Sequence, residues 1–286
     1  MAQAAPHIMR VITTKREMSL ACREAVKPLG LVPTMGSLHA GHLSLIDQAR
    51  LDNHTVAVSI FVNPTQFGNK NDLAKYPRDM EGDLELLRRH GVDLVYAPSV
   101  EEVYPVGFNT WVDVGSLVEK LEGLHRPGHF RGVATVVSKL FNVTRPNRAY
   151  FGQKDGQQVV VIQKLALDLD MGVEVVVMPT IRESDGLAMS SRNVQLNEEQ
   201  RQAAPVLHKA LYQMYLLWSQ GERDGSVLRK AAEMILDSEH TIDQIDYVSV
   251  VNLSTLEELE DVEGRALVSA AVRMGCVRLV DNIILE

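Results

Sequence analysis

Short apolar runs alternate with stretches of helical apolar spacing through roughly the first 180 residues, and this alternation constrains the fold most. Residues 30–34 form one such run, and helical spacing follows from about His42 through Leu43, Leu45, Ile46 and Ala49. Residues 55–62 read as a second strand, stopped at Asn63 and Pro64 because proline has no N–H to give to a ladder. A helix over residues 80–90 with Gly91 as its cap leads to a strand at 93–97. Helical spacing at 133–142, an extended stretch at 149–151, helical spacing at 157–169 and a β-branched run at 173–178 continue the series.

Such a series calls for parallel strands joined by crossover helices, with ligands held beyond the carboxyl ends of the strands. The expected fold class is therefore α/β, a Rossmann-like doubly wound parallel sheet. After Pro179 the pattern changes to a polar loop as far as Asn197, helices over 198–219 and 226–237, and two or three strands around 246–252 and 266–280. The expected division is a large domain over residues 1–180 and a smaller α+β domain over 181–286.

At 286 residues the chain has room for both. Its net charge of −8 argues against a protein that holds nucleic acid, which needs a basic surface. Cys22 and Cys276 are the only cysteines and lie far apart, so two buried thiols are expected rather than a disulfide framework or a structural zinc. Residues 1–10 have no apolar signal-like core, and no run reaches the ~18 apolar residues of a membrane span. A cytoplasmic setting follows as the expectation.

The strongest local signal is residues 33–42, Pro-Thr-Met-Gly-Ser-Leu-His-Ala-Gly-His, between the first strand and the first helix. A helix N-terminus offers unpaired N–H groups and positive potential, glycine allows close approach, and imidazoles can donate to phosphate oxygens. Two other readings stand beside a phosphate site: a helix start that carries two histidines, and half of a metal site. Residues 151–158, Phe-Gly-Gln-Lys-Asp-Gly-Gln-Gln, put a cation and an acid just before a helix, where Lys154 could equally be a surface lysine. Residues 183–192, Glu-Ser-Asp-Gly-Leu-Ala-Met-Ser-Ser-Arg, read either as a solvated linker or as a mobile loop that covers phosphates.

His39-Ala40-Gly41-His42 is similar to the H-x-G-H signature of the nucleotidyltransferase superfamily that includes class I aminoacyl-tRNA synthetases. The later loop is similar to the K-M-S-K-S-type loop of that group. Together with residues 63–67, 76–79, 126–133 and 179–183, these motifs resemble the pantothenate synthetase family over nearly the whole chain. The resemblance implies an ATP-dependent, AMP-forming ligation of pantoate and β-alanine through a pantoyl adenylate. It also implies Mg²⁺, a homodimer, an N-terminal domain binding ATP and pantoate, and a C-terminal lid.

Carried onto this sequence, the resemblance places His39 and His42 on the triphosphate, with His42 as proton donor, and Met35, Gly36 and Gly41 as the wall of that pocket. Gly152, Lys154 and Asp155 bind ATP, Ile181 lines the adenine, and Met189, Ser190, Ser191 and Arg192 close over the phosphates. Gln66 and Gln158 hydrogen-bond pantoate, Phe61 or Val136 lines its methyl groups, and Asn63 helps place β-alanine. Taken alone, the two glutamines read as polar side chains that face solvent. Asp83 lies where the family has an acidic pair and is the metal candidate, although Gly82 precedes it. Rival readings are a nucleotidyltransferase with a phosphate acceptor, and a non-catalytic nucleotide sensor. A P-loop is absent from the sequence.

Overall fold

The computed structural model describes residues 8–286, so the expectation that residues 1–10 hold no signal-like core lies mostly outside the described part. The chain divides into two compact units. The first comprises residues 8–114 with Pro127–Phe151 and Val161–Met178; the second comprises Gly115–Arg126, Gly152–Val160 and Pro179–Glu286. Sequence patterning marks the change at Pro179 but gives no sign that 115–126 and 152–160 pack with the C-terminal part.

The six-stranded sheet contains β1 (Arg10–Ile12), β2 (Leu29–Thr34), β3 (Thr55–Ile60), β4 (Leu94–Tyr96), β5 (Arg148–Gly152) and β6 (Glu174–Met178), in the order β1-β4-β3-β2-β5-β6. β1 with β4, β4 with β3, β3 with β2 and β2 with β5 pair in parallel. Every residue of β3 is buried, as a strand covered on both faces requires. From β2 the sheet grows one way through β3 and β4 and the other way through β5 and β6, which makes β2/β5 the switch point. β2 runs into residues 35–42, and β5 runs into residues 152–155.

The core of the first unit joins Val32, Val56, Val58 and Val95 of the strands to Leu45 and Ile46 of the helix Ala40–Asp52 and Leu87 of the helix Met80–Arg89. Removing a fully buried side chain such as that of Ile46 costs about 2–5 kcal/mol. The second unit has an antiparallel sheet of β7 (Gln244–Asn252), β8 (Ala266–Met274) and β9 (Val277–Leu285), with β8 in the middle. Val268, Ala270 and Val272 of β8 share a core with Leu207, Leu211 and Met214 of one helix and Leu228 and Leu236 of another.

Three expectations need correction. The helix expected over 198–219 is two helices, Glu198–Ala203 and Val206–Ser219, because Pro205 cannot continue the first hydrogen-bond ladder. The strand region expected to end at 280 is a hairpin turning at Gly275 and Cys276 and running to Leu285. That turn exposes Cys276, while Cys22 is buried as expected. The short strand β1 and the helix Lys15–Glu24 had no expectation at all. Among the described residues, no helix is long and apolar enough to cross a membrane.

Candidate active site

The loop after β2 fixes the protons of both histidines. His39 caps the helix Ala40–Asp52, and its Nδ1 accepts the backbone N–H of Gly41 at 3.2 Å. The Nδ1 of His42 accepts the backbone N–H of His39 at 3.4 Å, so the two rings cap reciprocally with centroids 4.1 Å apart. A neutral imidazole that accepts at Nδ1 carries its proton on Nε2, so each ring has a donor on its other edge. A Cβ on Gly41 would stand 2.9 Å from the His39 ring, and only glycine leaves that ring room to fold back. The helix start thus combines N–H groups, dipole potential and two oriented imidazole donors, a set suited to phosphate oxygens.

Asp83 holds this loop from beneath. It is buried in the first turn of the helix Met80–Arg89, and its two oxygens accept the backbone N–H groups of Ser37 (2.8 Å) and Leu38 (2.7 Å). Those bonds stabilise a turn with positive φ at Gly36 (79°) and Ser37 (52°), a conformation that L side chains disfavour. Asp83, expected as the metal candidate, directs both oxygens to the backbone of the loop. Both oxygens face backbone donors, the neighbouring position is glycine, and no group of three or more metal-ligating side chains occurs among the described residues. This donor set does not fit a protein-held Mg²⁺.

Beyond the carboxyl end of β3, Asn63 and Gln66 are both buried on the short turn Pro64–Gln66 and its cap. The side-chain nitrogen of Gln66 lies 3.3 Å from the sulfur of Met35. Asn63, expected to help place β-alanine, gives its N–H groups to Gln66 Oε1 (3.0 Å) and the Gly132 carbonyl (3.1 Å). Phe61 and Val136 are buried, at 6% and 7% exposure.

In the second unit, Lys154 pairs with Asp155 at 3.1 Å. Asp155 is exposed by surface area; the burial that does act on it raises its pKa, but Lys154 first, then Arg126 and Arg192, hold its carboxyl below the ordinary range. It is an acceptor-only group at neutral pH, suited to ribose hydroxyls. Burial lowers the proton affinity of the Arg126 guanidinium, and Arg192 lowers it further, while Glu122 and Asp155 raise it. Arg126 therefore shares the electrostatic neighbourhood of Lys154 and Arg192. Sequence reasoning quoted it only as part of a motif and gave it no role, although an arginine at the head of residues 126–133 was a visible signal. Gln158 lies on the first turn of the helix Gly156–Asp168, next to Gln157, which is buried and bonded to Leu117, Lys120 and Glu122.

Residues 181–189 form a tight antiparallel turn rather than an open loop. Ile181 and Met189, and Glu183 and Leu187, are joined through their backbones, with Gly186 at φ 98°. Arg182 grips the Gly186 carbonyl and both oxygens of Asp281, and Arg201 grips Asp185 and Glu183. Ser190, Ser191 and Arg192 follow this braced segment, and the Ser190 hydroxyl accepts the Arg192 N–H.

Comparison with known proteins identifies the family. Residues 7–284 match the pantoate-β-alanine ligase family. A pantothenate synthetase of Roseiflexus sp. (strain RS-1) is 56% identical over 278 residues, covering 97% of this chain and 100% of that one. One from Acetivibrio thermocellus is 51% identical over 282 residues, again covering 97% and 100%. The crystal structure of pantothenate synthetase from Thermus thermophilus superimposes with a TM-score of 0.92 at 47% identity, covering 96% of this chain and 99% of that one. Pantoate-β-alanine ligase from Francisella tularensis, complexed with beta-gamma ATP and β-alanine, superimposes with a TM-score of 0.80 at 33% identity and 98% coverage of each. The chain belongs to the pantoate-β-alanine ligase family.

Proposed function

We propose that this ligase joins pantoate to β-alanine in two steps through a pantoyl adenylate. In the first, a carboxylate oxygen of pantoate attacks the α-phosphorus of ATP, the bond to the bridging oxygen breaks, and pyrophosphate leaves with that electron pair. In the second, the amine of β-alanine attacks the activated carbonyl carbon, the carbon–oxygen bond to AMP breaks, and the amine gives up a proton. A carboxylic acid with a pKa of roughly 4 arrives already deprotonated, so the first step needs no base. The difficulty is charge, and groups that stabilise phosphoryl oxygens carry the work.

The observation that carries this reading is the reciprocal cap of His39 and His42, which presets two Nε2–H donors at a helix N-terminus. In this reading both imidazoles contact the triphosphate and His42 donates a hydrogen bond from its Nε2–H to the departing charge, while Met35, Gly36 and Gly41 form the wall. Carried over from the family resemblance, Lys154 and Arg192 serve phosphate, Asp155 ribose, Gly152 and Ile181 the nucleoside, and Met189, Ser190 and Ser191 the covering segment. At an effective dielectric of about 20, one charge pair at 4 Å is worth about 4 kcal/mol before desolvation, so two such cations matter greatly. Gln66 and Gln158 take the oxygens of pantoate. Asp83 does not fit Mg²⁺, and an ion brought in with ATP would be held through phosphates and water, as Mg²⁺ commonly is.

Labelled pyrophosphate supplied with ATP and pantoate, without β-alanine, tests the intermediate. Incorporation of label into ATP is the expected result; absence of exchange, in an enzyme that still makes pantothenate when β-alanine is added, refutes a free-standing adenylation step. ATP binding with no AMP formed under any substrate combination favours the nucleotide sensor instead. Family membership also supports a homodimer and a cytoplasmic setting, the first of which sedimentation equilibrium would test.

A further inference from the structure

A chain of hydrogen bonds starting outside the sequence motifs decides which end of Gln66 a substrate meets. The side-chain oxygen of Asn63 accepts the hydroxyls of Tyr104 (2.8 Å) and Thr65 (2.9 Å) and, more weakly, the backbone N–H of Thr65 (3.4 Å). Its nitrogen faces the Gly132 carbonyl and Gln66 Oε1. The oxygen and nitrogen of an amide are alike in shape, so its partners must decide which is which. Two partners cannot change role: a backbone N–H only donates, and a backbone carbonyl only accepts. Turned over, Asn63 would set its NH₂ against the Thr65 N–H and its oxygen against the Gly132 oxygen, leaving buried polar groups opposed at a cost of about 1–3 kcal/mol each. Asn63 therefore stands one way round.

With both N–H groups of Asn63 given away, the atom of Gln66 that takes the second must be its oxygen. The amide end left for a ligand is the nitrogen, whose partner in this structure is the weakly accepting Met35 sulfur. The frame around the chain is tight. The Tyr104 ring packs on Phe61, Phe108 and Trp111. Burial raises the pKa of its hydroxyl despite the bonds to Thr65 and Asn63, so it remains a donor at neutral pH. A Cβ on Gly132 would meet the Thr65 carbonyl oxygen at 2.6 Å, so glycine lets the helix His129–Thr144 seat directly against the turn.

We propose that Asn63 is a positioning residue: given its direction by the Thr65 N–H and the Gly132 carbonyl and clamped there by the Tyr104 and Thr65 hydroxyls, it fixes the Gln66 amide so that it gives N–H, not C=O, to the acid substrate. This selects an oxygen acceptor at that point and disfavours a donor such as an ammonium or amide group. It also makes Asn63 an orienting group for Gln66 rather than a contact for β-alanine. The inference rests on reading Gln66 as a pantoate contact.

The test uses the full chain with Tyr104→Phe and Thr65→Val combined, which removes both hydroxyls and keeps both shapes. The expected result is a pantoate KM raised about tenfold with the ATP KM within about twofold. Asn63→Asp, which presents oxygen to Gln66 and turns its NH₂ inward, is expected to raise the pantoate KM by about 100-fold with ATP affinity by calorimetry unchanged. An unchanged pantoate KM in Asn63→Asp overturns the proposal, as does a double variant that loses ATP and pantoate affinity in parallel with its melting temperature. A readout without substrate separates this proposal from the functional reading: solvent exchange of the Asn63 side-chain N–H signals in ¹⁵N-labelled protein. Slow exchange in the wild type and fast exchange in the double variant support the orienting chain; equal rates overturn it whatever the enzyme turns over. A wild type that binds no pantoate but keeps the slow signals refutes the functional reading and the selection of an acid, while the amide orientation stands.

Discussion

Asp83→Asn isolates the contribution of the buried carboxylate beneath the H-x-G-H loop. Asp83 accepts two backbone N–H groups, from Ser37 and Leu38, at 3% exposure. Asparagine keeps one acceptor and turns an NH₂ toward the other donor, so one charge-assisted bond worth about 1.5–3 kcal/mol is lost. The orphaned N–H adds a desolvation penalty of the same order, giving a loss of about 3–6 kcal/mol in urea unfolding. The strained turn at Gly36 and Ser37 relaxes once its anchor weakens, and the His39 and His42 rings it precedes shift with it. Displacement of a positioning element by about 1 Å costs on the order of 100-fold in rate, so the pyrophosphate exchange rate is expected to fall by about 10- to 100-fold. The assay is exchange measured across a Mg²⁺ titration at fixed ATP. A loop anchor leaves the defect at every Mg²⁺ concentration, whereas a metal ligand is rescued as Mg²⁺ rises. Full rescue by Mg²⁺, or a stability change under about 0.5 kcal/mol, would refute the loop-anchoring reasoning.

Lys154→Ala should lower pyrophosphate exchange by about 100-fold or more while leaving thermal unfolding nearly unchanged, since the ion-pair partner of Lys154 is the exposed Asp155; near-normal exchange removes Lys154 from the phosphate site. Gly41→Ala should cut exchange by at least about tenfold, because its Cβ would press on the His39 ring, and ring displacement is readable in the histidine NMR signals. Asp281→Ala should destabilise the protein by about 3–5 kcal/mol, since it leaves the Arg182 guanidinium without its buried carboxylate. Acid stability follows from Glu122: burial pushes its pKa up, but Arg278, Tyr247 and Arg126 hold it below the ordinary value. A lowered folded pKa gives stability that is present above the unfolded value of about 4.3 and lost as pH falls through the folded one. Thermal melts from pH 6 to pH 3 should therefore show a smaller decline in Glu122→Gln than in the wild type, and identical slopes would count against this assignment.

The alternation of apolar runs and helical spacing was enough to place the parallel sheet, because strands buried on both faces and crossover helices leave a pattern in local composition. The H-x-G-H loop was legible for the same reason: its residues are contiguous, and a helix N-terminus needs only a few neighbours to become an anion site. The break at Pro205 was visible in the letters and still missed, since the apolar spacing on either side reads as one helix. The two inserted stretches that join the second unit, 115–126 and 152–160, left no local mark, because what they pack against is decided by contacts far away in sequence.

The chemistry divides along the same line. The candidates for contact with phosphate or an acid came from sequence, through residue type and motif. The proton positions on His39 and His42 come from backbone groups two and three residues away, whereas the anchoring of the loop by Asp83 across 45 and 46 residues and the one-way amide of Asn63 held against the Gly132 carbonyl were decided only by tertiary structure. A hydrogen bond has a direction, and direction depends on which partner the fold brings opposite. Residue identity supplies donors and acceptors; packing alone chooses among them.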